Sequence, residues 1–202
     1  MTGIPPEDLV PPALPMADAT AVEEHSGHLE IIGETAAKLL LFQQGWNPYS
    51  RFLDVDKVDL ILRRNRNNAP EYREIQVKYR RLYAADKLSR WDSRLFSAVA
   101  WYTPDNDEFA SHRPGLFVMF IFGYPDRRIE KDVLILPSRA LHEIIQRSPR
   151  HKKTGEKRSL YISKSRADGR WYVRLTRTKF TQIDATTCID VTPYCGNFAI
   201  LD

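Results

Sequence analysis

With 202 residues, 43% of them apolar and 28% charged, the chain has the size and balance of a globular protein that buries its own core, which sets aside fibrous, membrane-spanning and disordered classes. Thirty Lys and Arg against 26 Asp and Glu leave a net charge of +4. The first 30 residues hold Glu7, Asp8, Asp18, Glu23, Glu24 and Glu30 but no Lys or Arg, so the basic excess falls in the part expected to fold, where it can meet phosphates.

Residues 1–27 contain five of the thirteen prolines and little periodic hydrophobicity, and a disordered, Pro-rich tail is expected there. They lack the basic start and unbroken apolar run of a signal peptide. A helix is expected from Leu29 to Gln44, because Leu29, Ile32, Ala36, Leu39 and Leu40 keep a helical period and Gly45 stands where a glycine cap belongs. Val58 to Leu62 reads as a buried strand and Arg63 to Pro70 as a polar loop. Tyr72 to Tyr79 alternates cleanly, with Ile75, Val77 and Tyr79 on one face and Glu74, Gln76 and Lys78 on the other. From Arg80 to Gly115 no period is sustained.

Leu116 to Phe122 is a central strand by composition, and at seven residues is far short of the ~20 needed to span a bilayer. Asp132 to Leu136 is another strand, and Pro137 and Ser138 open a helix with Leu141, Ile144 and Ile145 on one side. Two strands, Leu160 to Ser163 and Trp171 to Leu175, flank the turn signal Asp168-Gly169, and short strands are expected near Cys188 and Phe198. Two cysteines are too few for a secreted disulfide framework, so the expected compartment is the cytoplasm, with no membrane association. The order of elements predicts an α/β or α+β domain over residues 28–202, built on a mixed sheet flanked by helices.

The chemistry-bearing residues cluster on the first helix and the first two strands. Hydrolysis of a phosphodiester at neutral pH needs charge neutralisation on the phosphoryl oxygens and an activated water. Hard oxygen donors around a divalent cation supply both, with a nearby ammonium group to orient the water. If the two strands form an antiparallel pair, Asp59 approaches Gln76 and Lys78 across the ladder. The other reading is a buried Asp59–Lys78 ion pair with Glu34 a plain surface residue. Asp56 competes with Asp59 as the strand acid, although Val58, Leu60 and Ile61 place Asp59 inside the strand.

Gly33-Glu34 in the helix, Leu39-Leu40-Leu41 before Gly45-Trp46, Val58-Asp59-Leu60-Ile61, and Glu74-Ile75-Gln76-Val77-Lys78 together resemble the PD-(D/E)XK nuclease superfamily. The likeness covers roughly residues 29–80 and more loosely Leu116 to Arg147, and is closest to a Gln-variant branch of restriction-endonuclease-like or resolvase-like proteins. It implies a restriction-endonuclease-like fold and a metal-dependent endonuclease acting on DNA rather than RNA. Glu34, Asp59 and Gln76 would bind Mg²⁺ or Mn²⁺, and Lys78 would position the water. Gln76 stands where that superfamily usually has an acid, and Glu74 on the same face could supply the missing charge. A nuclease-like module that binds DNA or assembles without cleaving is the alternative implied by this departure.

Arg80 and Arg81 follow the site and read either as contacts to the phosphate backbone or as a solvated strand end. The run from Arg147 to Arg158, with Arg150, Lys152, Lys153 and Lys157, is either a solvated loop or one that closes on DNA. Cutting both strands of a duplex usually takes two sites, so a homodimer is also expected.

Overall fold

The computed structural model describes residues 26–50, 57–87, 92–105, 109, 111–126, 128–150, 157–176 and 180–202. Within these residues the fold is α+β: one mixed five-stranded sheet, one antiparallel five-stranded sheet and three α-helices. The expected tail lies outside the described residues except for its last two positions, which already belong to the first helix.

Helix α1 spans Ser26–Gln43 and ends as its sequence predicts. Gly45 takes φ +79°, its N–H bonds to the Phe42 carbonyl, and the Trp46 N–H reaches back to Leu41. This is the paired-bond stop that favours glycine at the left-handed position, and the buried Trp46 and Leu41 side chains give its hydrophobic clasp. Strand β1, Asn47–Ser50, follows at once.

Strands β2 (Leu60–Arg66) and β3 (Ala69–Arg81) form a long antiparallel hairpin. The loop expected over Arg63 to Pro70 is therefore corrected: those residues pair, and only Asn67 and Asn68 turn, with φ of 51° and 61°. Asparagine tolerates the left-handed region, and two such residues make the tight turn whose twist matches the hairpin. After Tyr83–Ala84 (β4), a 3-10 turn and a one-turn helix α2 (Asp92–Leu95), Phe96–Tyr102 forms β5. The aperiodic region of the sequence thus holds two strands of the second sheet.

Strand β6 (Leu116–Gly123) runs parallel to β3, and β7 (Leu134–Pro137) antiparallel to β6, giving the first sheet the order β1-β2-β3-β6-β7. Helix α3 (Ser138–Arg147) buries Leu141, Ile144 and Ile145. Strands β8 (Leu160–Ser165), β9 (Trp171–Arg174) and β10 (Cys188–Asp190) complete the second sheet, ordered β10-β9-β8-β5-β4. The strand expected near Phe198 is instead a 3-10 turn, Phe198–Leu201.

Alternation in the strands divides the core. Leu60, Leu62, Ile75, Tyr79, Met119 and Ile121 face α1 with Ala37 and Leu41. Val118, Phe120, Phe122, Leu134 and Leu136 face the other way, onto α3 and Ala98, Ala100, Ile162 and Trp171 of the second sheet. The first sheet is thus covered on both faces, as a sheet holding a parallel pair requires.

Candidate active site

The β2–β3 ladder stops at Leu60–Ile75. One residue further the Asp59 N–H still bonds the Ile75 carbonyl, but the Val77 N–H is taken by the Asp59 carboxylate, Oδ2 at 2.6 Å. Here a side chain replaces the partner strand, and from Gln76 onward β3 is paired only on its β6 side. That open edge exposes backbone and side chains of both faces to one space, which is how a residue of α1 can meet residues of the opposite face.

A cavity of about 470 Å³ occupies this opening, lined among others by Glu30, Glu34, Lys57, Asp59, Gln76, Lys78, Arg80, Tyr102 and Asp105. The four residues expected to carry chemistry, Glu34, Asp59, Gln76 and Lys78, all line it. Glu34 comes from α1, one turn after Glu30, and Lys38 lies 3.9 Å from its carboxylate. Gln76 is 3% exposed, a polar side chain held deep at the cavity wall.

Helix α1 lies close enough to deliver Glu34 because Gly33 has no side chain. A Cβ there would come within 2.8 Å of the Tyr79 Cβ. Gly123 on β6 leaves the room that the far end of the same Tyr79 ring fills. Two glycines, from α1 and β6, thus lodge one tyrosine of β3.

The basic side of the cavity is backed by an aromatic ring. The Lys78 ammonium stands 5.7 Å from the centre of Tyr102 and the Arg80 guanidinium 4.4 Å from it. Asp105 is bonded to Lys157 at 2.7 Å. That hydrogen bond and charge, with further attraction from Lys57 and Lys78, hold the Asp105 carboxyl below the usual carboxylate range.

Glu74 does not join the site. It still lies within the paired part of β3, opposite Ile61, and its carboxylate is held by Arg113 at 2.7 Å. The charge missing at Gln76 is therefore not made good from there. Asp56, Lys152 and Lys153 lie outside the described residues. Arg81 and Arg150 are exposed and stand outside the cavity lining. Lys157 reaches the rim through Asp105, and Arg64, from the hairpin's basic cluster, is turned to Glu71 and Asp202.

Compared with family models, curated proteins and solved structures, the chain matches none.

The donor set can be tested against a divalent cation. Among the described residues no group of three His, Cys, Asp or Glu side chains is close enough to cage a metal unaided. Of the four carboxylates that line the cavity, those of Glu34 and Asp59 make up the expected donor set with the Gln76 amide oxygen, all hard donors. Mg²⁺ keeps several waters and takes few protein ligands, so this sparse set suits Mg²⁺ or Mn²⁺ better than zinc.

Glu30, Lys57, Tyr102, Thr103 and Asp105 also line the cavity, and sequence reasoning passed over all five. Glu30 carried a signal, since it lies four residues before Glu34 on one helix face. Tyr102 ends β5 and Thr103 and Asp105 follow it, while Lys57 precedes β2; the approach of the β5 end to β3 depends on how the two sheets pack. Lys57 adopts φ +56°, an uncommon conformation for a long side chain.

Proposed function

We propose that the chain is a metal-dependent nuclease of the PD-(D/E)XK kind, acting on DNA in the cytoplasm. The observation that carries this reading is the meeting of Glu34, Asp59, Gln76 and Lys78 on one cavity at the open edge of β3. In this reading Glu34, Asp59 and the Gln76 amide oxygen hold Mg²⁺ or Mn²⁺. The bound cation would neutralise charge on the phosphoryl oxygens and make its water more acidic.

The protein's own groups do the rest. The Lys78 ammonium donates to the attacking water and keeps its lone pair aimed at phosphorus. Arg80, held against Tyr102 and donating to the Tyr79 carbonyl at 2.6 Å, would offer its guanidinium charge to a non-bridging oxygen of the neighbouring phosphate. The new bond joins water oxygen to phosphorus as that water gives up a proton to solvent, the bond to the leaving sugar oxygen breaks, and that oxygen takes a proton from solvent. The Val77 N–H, by bonding Asp59, fixes that carboxylate before substrate arrives. Two copies of the chain would serve both strands of a duplex.

Cleavage of plasmid and of single-stranded DNA, with and without Mg²⁺ or Mn²⁺, tests the reading. Expected is metal-dependent cutting that falls at least 100-fold, on the order of one lost catalytic group, in Asp59→Ala and in Lys78→Ala. A second reading is favoured by one observation, the neutral Gln76 in place of an acid. In it the chain binds DNA without cutting, and salt-sensitive binding with no cleavage under either metal would select it.

A further inference from the structure

The outer face of the second sheet carries a row of flat side chains that the cavity does not use. Trp101 on β5 stands opposite Tyr161 on β8. Continuing the β8–β9 register by one residue sets Tyr161 opposite Arg174, whose guanidinium lies 5.6 Å from the Tyr161 ring centre. On the other side Tyr83 of β4 is diagonal to Trp101, and their rings stack with centres 4.8 Å apart and planes 8° from parallel. Opposed residues share a face, so Tyr83, Trp101, Tyr161 and Arg174 run in line across four strands.

Toward the start of β5 and at the β9–β10 end of the row the same face is covered: Phe96, Val99 and Cys188 are buried with Phe180 and Ile183 packed on them, and Arg174 is 6% exposed. Trp101 is left 44% exposed. A cross-strand aromatic pair steadies an edge strand, but that role alone does not require a large ring to stay in water.

Along the chain the row leads into the lining of the cavity. Trp101 is followed by Tyr102, against which Lys78 and Arg80 rest, then by Thr103 and Asp105 of the lining. The Thr103 hydroxyl is 3.0 Å from that of Ser159, two residues before Tyr161, and Lys157 is paired to Asp105. Two basic groups, Arg80 on Tyr102 and Lys157 on Asp105, thus accompany the segment that leads from Trp101 to the cavity.

We propose that Tyr83, Trp101 and Tyr161 form a stacking platform for unpaired bases, from which the strand's backbone continues over Lys157 and Arg80 to the cavity. Parallel rings beside a basic track fit single-stranded nucleic acid, since every base has a π-face and phosphates follow the charge. In an uninterrupted duplex those faces are already stacked on neighbouring bases. The preferred substrate is therefore nucleic acid with a single-stranded segment. That statement of substrate rests on the nuclease reading; the platform itself does not.

Binding of labelled oligo(dT) of about 16 nucleotides, compared with a blunt hairpin duplex, tests this in EDTA, where no cleavage intervenes. Trp101→Ala is expected to weaken oligo(dT) binding roughly 5- to 100-fold and duplex binding less than about twofold. Trp101→Phe, which keeps a flat ring, should retain most of the affinity. Oligo(dT) should also quench tryptophan emission of a Trp91→Phe protein and far less that of Trp91→Phe with Trp101→Phe, since the two remaining tryptophans, Trp46 and Trp171, are each 1% exposed; this comparison decides if Trp101→Ala fails to fold. Oligo(dT) affinity unchanged in Trp101→Ala, equal loss for the duplex, or no oligo(dT) binding by the wild type overturns the platform. Metal-dependent cleavage with Trp101-independent binding would overturn it alone, whereas Trp101-dependent binding without cleavage would overturn the nuclease reading alone.

Discussion

Gln76 is a neutral side chain, 3% exposed, at a place where a metal-binding site would gain from a carboxylate. Its neutrality has a physical consequence in the metal-free protein: a buried carboxylate would cost several kcal/mol unless paired. The amide avoids that cost and gives up attraction for the cation. Gln76→Glu should therefore melt lower than wild type in EDTA and recover with Mg²⁺. The Mg²⁺ midpoint for cleavage should fall about tenfold or more, a heavy discount on a charge–charge attraction of about 4 kcal/mol at 4 Å and an effective dielectric of 20. Thermal melts and Mg²⁺ titration of the rate check both; a variant unmoved by Mg²⁺ in either would remove Gln76 from the ion's surroundings. Lys57 gives a second test. Its left-handed backbone costs about 1–2 kcal/mol, which glycine would recover while losing about as much to the entropy of the unfolded chain. Lys57→Gly should leave the urea midpoint nearly unchanged yet weaken DNA binding, and the salt dependence of log affinity should flatten by about one unit of slope if Lys57 meets a phosphate.

Helix α1 is governed by two glycines with different duties, and substitution separates them. Gly45 caps the helix at φ +79° with nothing near its missing Cβ, whereas Gly33 has an ordinary conformation but faces the Tyr79 Cβ at 2.8 Å. Gly45→Ala should cost about 1–2 kcal/mol of stability through backbone strain, with the specific cleavage rate of the folded protein preserved. Gly33→Ala should cost about 1–3 kcal/mol by overpacking, and by pushing the helix off β3 it should also lower the rate, because Glu34 is the next residue. Urea unfolding and the rate per folded molecule distinguish the two. What the sequence showed at this scale follows the same division between local and non-local causes. The Gly45 cap, the alternation of β3 and the amphipathic α3 depend on neighbours in sequence, and each was legible; Asp59, Gln76 and Lys78 line one cavity, but Asp59 lies just before β2 rather than inside the strand expected from Val58 to Leu62. The Asn67-Asn68 turn was overlooked because Arg63, Arg64 and Arg66 look like loop, although their pairing as strand depends on the polar half of a hairpin. Strands β4 and β5, and with them Tyr102 and Asp105 of the cavity, were hidden because β5 is completed by β8, far away in the chain. Phe198 falls in a 3-10 turn because it closes over the α1 side of the first sheet rather than joining a ladder.

The two sheets are joined by polar contacts as well as by their shared core. Asp132, just before β7, bonds Lys164 of β8 at 2.8 Å and accepts from the Trp171 indole of β9 at 2.9 Å. Glu130, 8% exposed, accepts from the Tyr124 hydroxyl and lies 3.6 Å from the same Lys164. Burial alone would raise the Asp132 carboxyl, but the hydrogen bonds from Lys164 and Trp171 outweigh it and hold it below the ordinary range. Burial likewise works against the Lys164 ammonium, and its bond to Asp132 and the charges of Asp132 and Glu130 outweigh it upward. The signs fix the pH profile. A depressed Asp132 adds stability that is complete above its unfolded value of about 3.9 and is lost as the pH falls below it. A raised Lys164 adds stability that is complete below about 10.4 and is lost as the pH rises through its folded value. Between these limits the clasp is intact, and Lys164→Met should cost about 1–3 kcal/mol at pH 7, the range for a hydrogen bond to a charged partner. The variant should lose less additional stability than wild type between about pH 4 and pH 2, because Asp132 no longer has its ammonium partner to lose. Urea unfolding of both proteins across that window provides the measurement. Parallel profiles, with wild type and variant losing the same amount as acid is added, would mean that Lys164 does not hold the two sheets together through Asp132.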